Sequence, residues 1–274
     1  MDASGWIVLT SLILGVLVGA VLGLTGAGGG ILAVPALVVG LGWTMQQAAP
    51  VALIAVAGGA AIGAAEGLRR KLVRYRAAVL MAVSGVPVTS LGFRVAQALP
   101  QRTLLALFST VMLIVAARLY LQARKADNGD PEEFLRWGRL NPATGRFAWT
   151  WPTTALLGAI GALTGFMTGL LGVGGGFVIV PMLRRFTDLS MHGIVATSLL
   201  MIALVGLGGV VSAVLHGAAI PWDLTALFTL ATACGMVAGR WVSTRLSSRH
   251  VQMGFSIVLV VVAISLFAKA FLAP

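Results

Sequence analysis

A twelve-residue stretch that occurs twice constrains this chain more than any other feature. Residues 26–37 read GAGGGILAVPAL and residues 172–183 read GVGGGFVIVPML, an offset of 146 residues. Gly28, Gly29, Gly30 and Pro35 therefore return as Gly174, Gly175, Gly176 and Pro181. Upstream the same register pairs Gly19 with Gly165, Gly23 with Gly169 and Gly26 with Gly172; downstream, after one inserted residue, Gly92 meets Gly239 and Arg102 meets Arg249. The chain reads as two copies of one unit, 1–122 and 152–274, joined by a linker over 123–151.

Glycine loses the most backbone freedom on ordering, so a triplet inside an apolar segment weakens any helix it interrupts. In a bilayer such irregular backbone is tolerated only where protein or a water-filled cavity satisfies its N–H and C=O groups, and a break at matched positions of two repeats points to a binding site. The alternative is that the glycines only let helices approach closely.

The surroundings are those of a membrane. The chain is 58% hydrophobic and 10% charged, with a mean hydropathy of +0.98, outside the range of soluble domains. A net charge of +11 in a soluble chain would suggest nucleic acid, but here Lys and Arg cluster between apolar runs and act as topology signals, so nucleic acid is not an expected partner. The lone cysteine, Cys234, excludes a disulfide framework. The first apolar run has no basic segment before it and leads straight into the glycine motif, so it is read as a retained helix and not a cleaved signal.

About 20 apolar residues span a bilayer as a helix. Eight segments qualify: Trp6 to Leu24, Ala48 to Ala65, Ala77 to Phe93, Thr103 to Tyr120, Thr153 to Leu171, Met191 to Leu215, Leu224 to Val242 and Val251 to Phe271. The runs after the breaks, Ile31 to Leu41 and Phe177 to Leu183, are too short and are predicted to be half-helices or thin crossings. The expected fold class is thus an all-α polytopic membrane protein of two repeats.

Basic residues orient it. Arg69 to Arg76, the linker from Arg124 to Arg146, Arg184 with Arg185, and Arg240 to Arg249 are expected on the cytoplasmic side, with both termini outside. This requires five passes of unequal length per repeat, which inverts the second repeat relative to the first. Arg94 and Arg102 fall on the outer side against the trend, and a parallel four-plus-four arrangement is the rival. The linker is mixed in sign and is read as a tether, with a short surface helix from Glu132 to Leu140.

Other chemistries find little support. GAGGG has Ile31 where a dinucleotide fingerprint needs its last glycine, no phosphate-loop motif is present, and His192, His216 and His250 stand apart without metal-ligand spacing. No nucleophile elbow marks a hydrolase, so neither an enzyme nor a cofactor is expected. No Asp, Glu, Lys or Arg lies near the centre of any span, although ion pumps mark their pathways with such groups. Any coupling would use span-end residues such as Glu66, Asp223, His192 or His216.

An uncharged pathway suits a small anion. Helix N-termini offer unpaired N–H groups and a positive dipole end, and the residues after Gly30 and Gly176, beginning with Phe177, are predicted to start such helices. The hydroxyls of Thr197 and Ser198 in the following span would supplement those amides, unless they bond back to their own helix or join two helices. The candidate substrate-binding set is therefore Gly28, Gly29, Gly30, Gly174, Gly175, Gly176, Phe177, Thr197 and Ser198.

Together, GLTGAGGGILAVPAL, its repeat GLLGVGGGFVIVPML, and ATSL at 196–199 resemble the sulfite exporter TauE/SafE family of bacterial membrane transporters. The resemblance covers nearly the whole chain. It implies a multi-pass protein of the bacterial cytoplasmic membrane that moves small sulfur anions such as sulfite, sulfoacetate and related sulfonates. The family typically carries a Thr-Ser pair after both breaks, whereas the first repeat here has Val51 and Ala52. Alternating access is the expected mechanism; an anion channel and a non-transporting assembly factor are the alternatives.

Overall fold

Glycine stripes set the helix contacts from which the fold is built. The computed structural model describes residues 3–128, 149–243, 245 and 248–272, and is all-helical among them. The first half comprises α1 (Ala3–Thr25), a 3-10 segment (Gly26–Leu32), α2 (Ala33–Gly40), α3 (Met45–Arg69), α4 (Tyr75–Ala98) and α5 (Gln101–Asn128). The second comprises α6 (Trp151–Leu171), α7 (Gly176–Phe186), α8 (Met191–Leu215), α9 (Trp222–Ser243) and α10 (Ser248–Leu272). Eight of these segments are long and apolar enough to cross a membrane, in line with the sequence reading. The expected surface helix from Glu132 to Leu140, and Arg136, Arg139 and Arg146, lie outside the described residues.

Gly15, Gly19 and Gly23 of α1 press on α9, where a Cβ on any of them would overlap Phe228, Thr232 or Met236 backbone. Gly161, Gly165 and Gly169 of α6 do the same against Met81, Gly85 and Thr89 of α4. Without a hydrophobic drive between helices in lipid, small residues gain stability by letting backbones pack closely. The order of these contacts makes α1 and α9 parallel, and α4 and α6 parallel. In contrast α3 and α8 run antiparallel, since Gly67 meets Ala196, Gly63 meets Leu199 and Gly206 meets Ala57. These two form the centre: 72% and 61% of their apolar windows are buried, against half or less in every other span.

Partner choice is reciprocal under the 146-residue offset. α1 packs on α9 and its counterpart α6 on α4; α3 on α9 and α8 on α4; α3 on α8 and α5 on α10. The ends of α3 and α8 share one cap. Arg70, Lys71 and Leu72 donate to the carbonyls of Glu66, Leu68 and Gly67, and His216, Gly217 and Ala218 donate to those of Ser212, Val214 and Ala213. The left-handed position is Lys71 (φ 58°) in one and Gly217 (φ 75°) in the other.

Side chains start the helices where sequence signals ask for it. Thr44 and Gln47 form a reciprocal capping box at α3, Thr150 caps α6 ahead of Pro152, and Ser190 caps α8. Both short helices double back beside a long one. Gly29 reaches Leu22 and Gly40 reaches Leu14, so the first return lies along α1. At 1.5 Å per residue α2 is about 12 Å long and α7 about 16 Å, roughly half a hydrocarbon core each.

Candidate functional site

The two glycine breaks meet at the centre of the bundle, between α3 and α8. A Cβ placed on Gly176 would overlap the Ala27 carbonyl oxygen, so the second break crosses the first in direct backbone contact. Val56 of α3 and Ile202 of α8, themselves 146 residues apart, plug the crossing. Val56 lies against Gly30 and Gly174, and Ile202 against Gly174 and Gly176. Gly29, Gly30, Gly174, Gly175, Gly176 and Phe177 are all buried, and Gly28 is half-buried beside Phe255.

The breaks are built differently. The first stays wound as a 3-10 turn that runs straight into α2, with Ala33 donating to the Gly30 carbonyl. Its amides are largely used internally, and no fresh helix N-terminus opens after Gly30. Each break opens on a left-handed glycine, Gly26 and Gly172 (φ 72° in both), but in the second Gly174 and Gly175 are left-handed as well (φ 36° and 62°), backbone that only glycine adopts without strain. The chain then starts α7 at Gly176 with no side-chain cap. A new helix N-terminus therefore opens after the second break and not after the first.

Hydroxyls distinguish this place further. Most buried Ser and Thr side chains here return a hydrogen bond to the carbonyl four residues back, as Ser11, Thr89, Thr168 and Thr232 do. Thr164 and Ser198 are fully buried and have no hydrogen-bond partner among the described residues. Both border the breaks. The methyl of Thr164 abuts Gly175. Ser198 lies on the α8 stripe between Val195, which touches Gly26, and Ile202, which touches Gly174 and Gly176, so its spacing of three and four residues puts it on the face that meets the crossing. A buried, unpaired hydroxyl costs about 1–3 kcal/mol.

Thr197 has a different role. Its Oγ1 accepts the backbone N–H of Arg74 at 3.0 Å, fixing the loop before α4. Of the two hydroxyls expected in the site, Ser198 has no partner among the described residues, while Thr197 is engaged as an acceptor. Val56, Ile202, Thr164 and Thr168 were not anticipated. The first two could have been found by carrying the offset through α3, and the threonines by reading the T-x-x-x-T spacing one turn before the second break.

Eight segments long and apolar enough to cross a membrane, with two glycine breaks crossing between them, define a polytopic helical membrane protein. The model of the sulfite exporter TauE/SafE family matches residues 11–266, and the chain belongs to that family. It is similar to a "Probable membrane transporter protein" of Xylella fastidiosa (strain 9a5c), 28% identical over 253 residues and covering 91% of each chain. It is also similar to the "Probable membrane transporter protein YjnA" of Bacillus subtilis (strain 168), 25% identical over 266 residues, 93% of this chain and 98% of that one. The likeness to the "Probable membrane transporter protein MamO" of Magnetospirillum gryphiswaldense, 26% identical, takes in 82% of this chain but 38% of that one. No solved structure matches.

Proposed function

We propose that the chain moves small anions, sulfite or organosulfonates, across a bacterial cytoplasmic membrane by alternating access around the crossed breaks. The observation that carries this reading is the pair of orphan hydroxyls, Thr164 and Ser198, beside the uncapped start of α7. Together they offer neutral donors and a positive dipole end without any carboxylate, the chemistry that suits an oxyanion and not a cation. The Gly28 to Gly30 and Gly174 to Gly176 backbones and Phe177 would enclose it. Val56 and Ile202 close the crossing in the state described, an occluded arrangement that must part for substrate to pass.

Inverted repeats supply the motion. Antiparallel α3 and α8, at matched positions of the two halves, and the reciprocal packing partners support an axis in the membrane plane. Rocking one half against the other would then expose the crossing to either side in turn. The test is flux of radiolabelled sulfite, sulfate and a short alkanesulfonate in proteoliposomes, with and without a proton or sodium gradient. Saturable, gradient-sensitive flux of a sulfur anion is expected; a linear, gradient-independent leak would favour a channel, and flux no greater than in empty liposomes would overturn the reading.

A further inference from the structure

The matched caps of α3 and α8 place two clusters at opposite ends of the bundle. At the end of α3, Glu66 binds Arg70 at 2.7 Å and Arg240 at 3.1 Å, so two guanidinium groups share a carboxylate. The 146-residue offset carries Glu66 to Ser212 and Arg70 to His216, while Arg240 falls, after the inserted residue, on Phe93 with Arg94 beside it. At the end of α8 these residues assemble in the same way. His216 Nδ1 donates to the Ser212 carbonyl at 2.7 Å, its ring packs on Phe93 at 5.7 Å, and Arg94 Nε donates to His216 Nε2 at 3.3 Å. The carboxylate alone is missing. Ser212 stands in its place, 6% exposed, and its hydroxyl has no partner among the described residues.

Among the described residues no acid pairs with this hydrogen-bonded arginine and histidine, so the pair lacks a counter-ion there. Of the elements packed on α8, only α4 brings a charged group to this end, Arg94; α3 and α6 bring none, and α7 carries Arg184 and Arg185 at the other end. Asp223 opens α9 after the loop, Arg102 opens α5, and neither pairs with Arg94 or His216. A cavity of about 190 Å³ lies alongside, lined by Phe93, Gln46, Gln47, Gln97, Gly169 and Ala218 among others. Phe93 joins the pair to the cavity. Ala49 also lines it and abuts Gly172, so the cavity reaches the start of the second break.

We propose that Arg94, His216 and the Ser212 hydroxyl form a second anion site, behind the Phe93 wall of this cavity, that takes up a sulfonate or other oxyanion together with a proton. The Arg94 Nε–H donates to His216 Nε2, a hydrogen bond that uses the lone pair of the neutral imidazole. When His216 protonates, that hydrogen bond is lost and Nε2–H, the guanidinium and the hydroxyl all become donors facing one acceptor-only ligand. Anion and proton then bind with positive coupling, each strengthening the other by the same factor. The proposal rests on the anion-transport reading for its physiological ligand, but the site is testable without transport.

The measurement is an NMR titration of the His216 imidazole in nanodiscs, with methanesulfonate and sulfate as probes because neither changes charge between pH 5 and 8. Adding either anion is expected to raise the titration midpoint of His216 in the wild type, with binding about tenfold tighter at acid than at alkaline pH, the effect of one charge-assisted hydrogen bond. Arg94→Gln should abolish the anion-induced shift. Ser212→Glu, which restores the carboxylate present at Glu66, should raise the midpoint without any anion and remove the response to it. An imidazole whose titration ignores both anions in the wild type, or responds equally in Arg94→Gln, would overturn the site. An intact, Arg94-dependent response in a protein that shows no sulfur-anion flux would uphold the site and overturn the transport reading alone.

Discussion

Ser198 and Thr197 are neighbours in sequence, yet their contacts assign them opposite tasks. Ser198 contributes nothing to the fold through its hydroxyl, so Ser198→Ala is expected to leave the melting temperature unchanged or raised while weakening anion binding about ten- to hundred-fold, the loss of one charge-assisted hydrogen bond of about 1.5–3 kcal/mol. Thr197→Val leaves the Arg74 N–H unpaired and should cost about 1–3 kcal/mol of stability without selectively changing affinity. Calorimetry and thermal unfolding on the same purified variants check both; equal effects of the two substitutions would remove Ser198 from the site. The glycines divide in the same way. Gly28 has room for a methyl group, its nearest neighbour being Phe255 at 3.8 Å, so Gly28→Ala should fold normally and alter only flux. Gly176→Ala would drive a methyl into the Ala27 carbonyl and should lower yield and melting temperature as well. The sequence revealed that these positions were special but not which were tight, because close approach depends on a partner far along the chain, as Ala27 is for Gly176.

Among elements, the half-helices carry the least internal support. α7 ends in Arg184 and Arg185, whose charges complement its C-terminal dipole, whereas the last turn of α2 has no basic residue. Lys269, from the last turn of α10, supplies one, donating from Nζ to the Val38 carbonyl at 2.7 Å. Lys269→Met should therefore speed amide hydrogen exchange across residues 33–40 several-fold, with little change in α3 or α8; unchanged exchange would mean the lysine is not what holds α2. Hydropathy made all eight long spans legible, since length and apolarity alone define them. The 3-10 winding of the first break was not, because GAGGG and GVGGG differ by one side chain, and the difference in backbone arises from what each packs against. Nor did Lys269 stand out, as a basic residue at a helix end ordinarily reads as a topology signal.

At the scale of the whole molecule, the basic clusters at Arg69 to Arg76, Arg184 to Arg185 and Arg240 converge on one end of the bundle, given the relative directions of α3, α7, α8 and α9. Arg94, His216 and Lys269 lie toward the other. If the basic end is cytoplasmic, cysteines at Lys71 and Gly217, the two left-handed cap positions, should label from opposite sides of the membrane in a Cys234→Ser background. Labelling from one side would exclude the inverted arrangement. Alternating access makes a demand that neither a pore nor an assembly factor meets: substrate on the far side must accelerate the return of the carrier. Counterflow in proteoliposomes tests this most directly, using the sulfur anion that shows flux, loaded inside and supplied as tracer outside. Trans-stimulated tracer uptake in the wild type, reduced about tenfold or more in Ser198→Ala at equal protein incorporation, is the expected result; uptake indifferent to internal anion, or equal in wild type and Ser198→Ala, would contradict a carrier built on the crossed breaks.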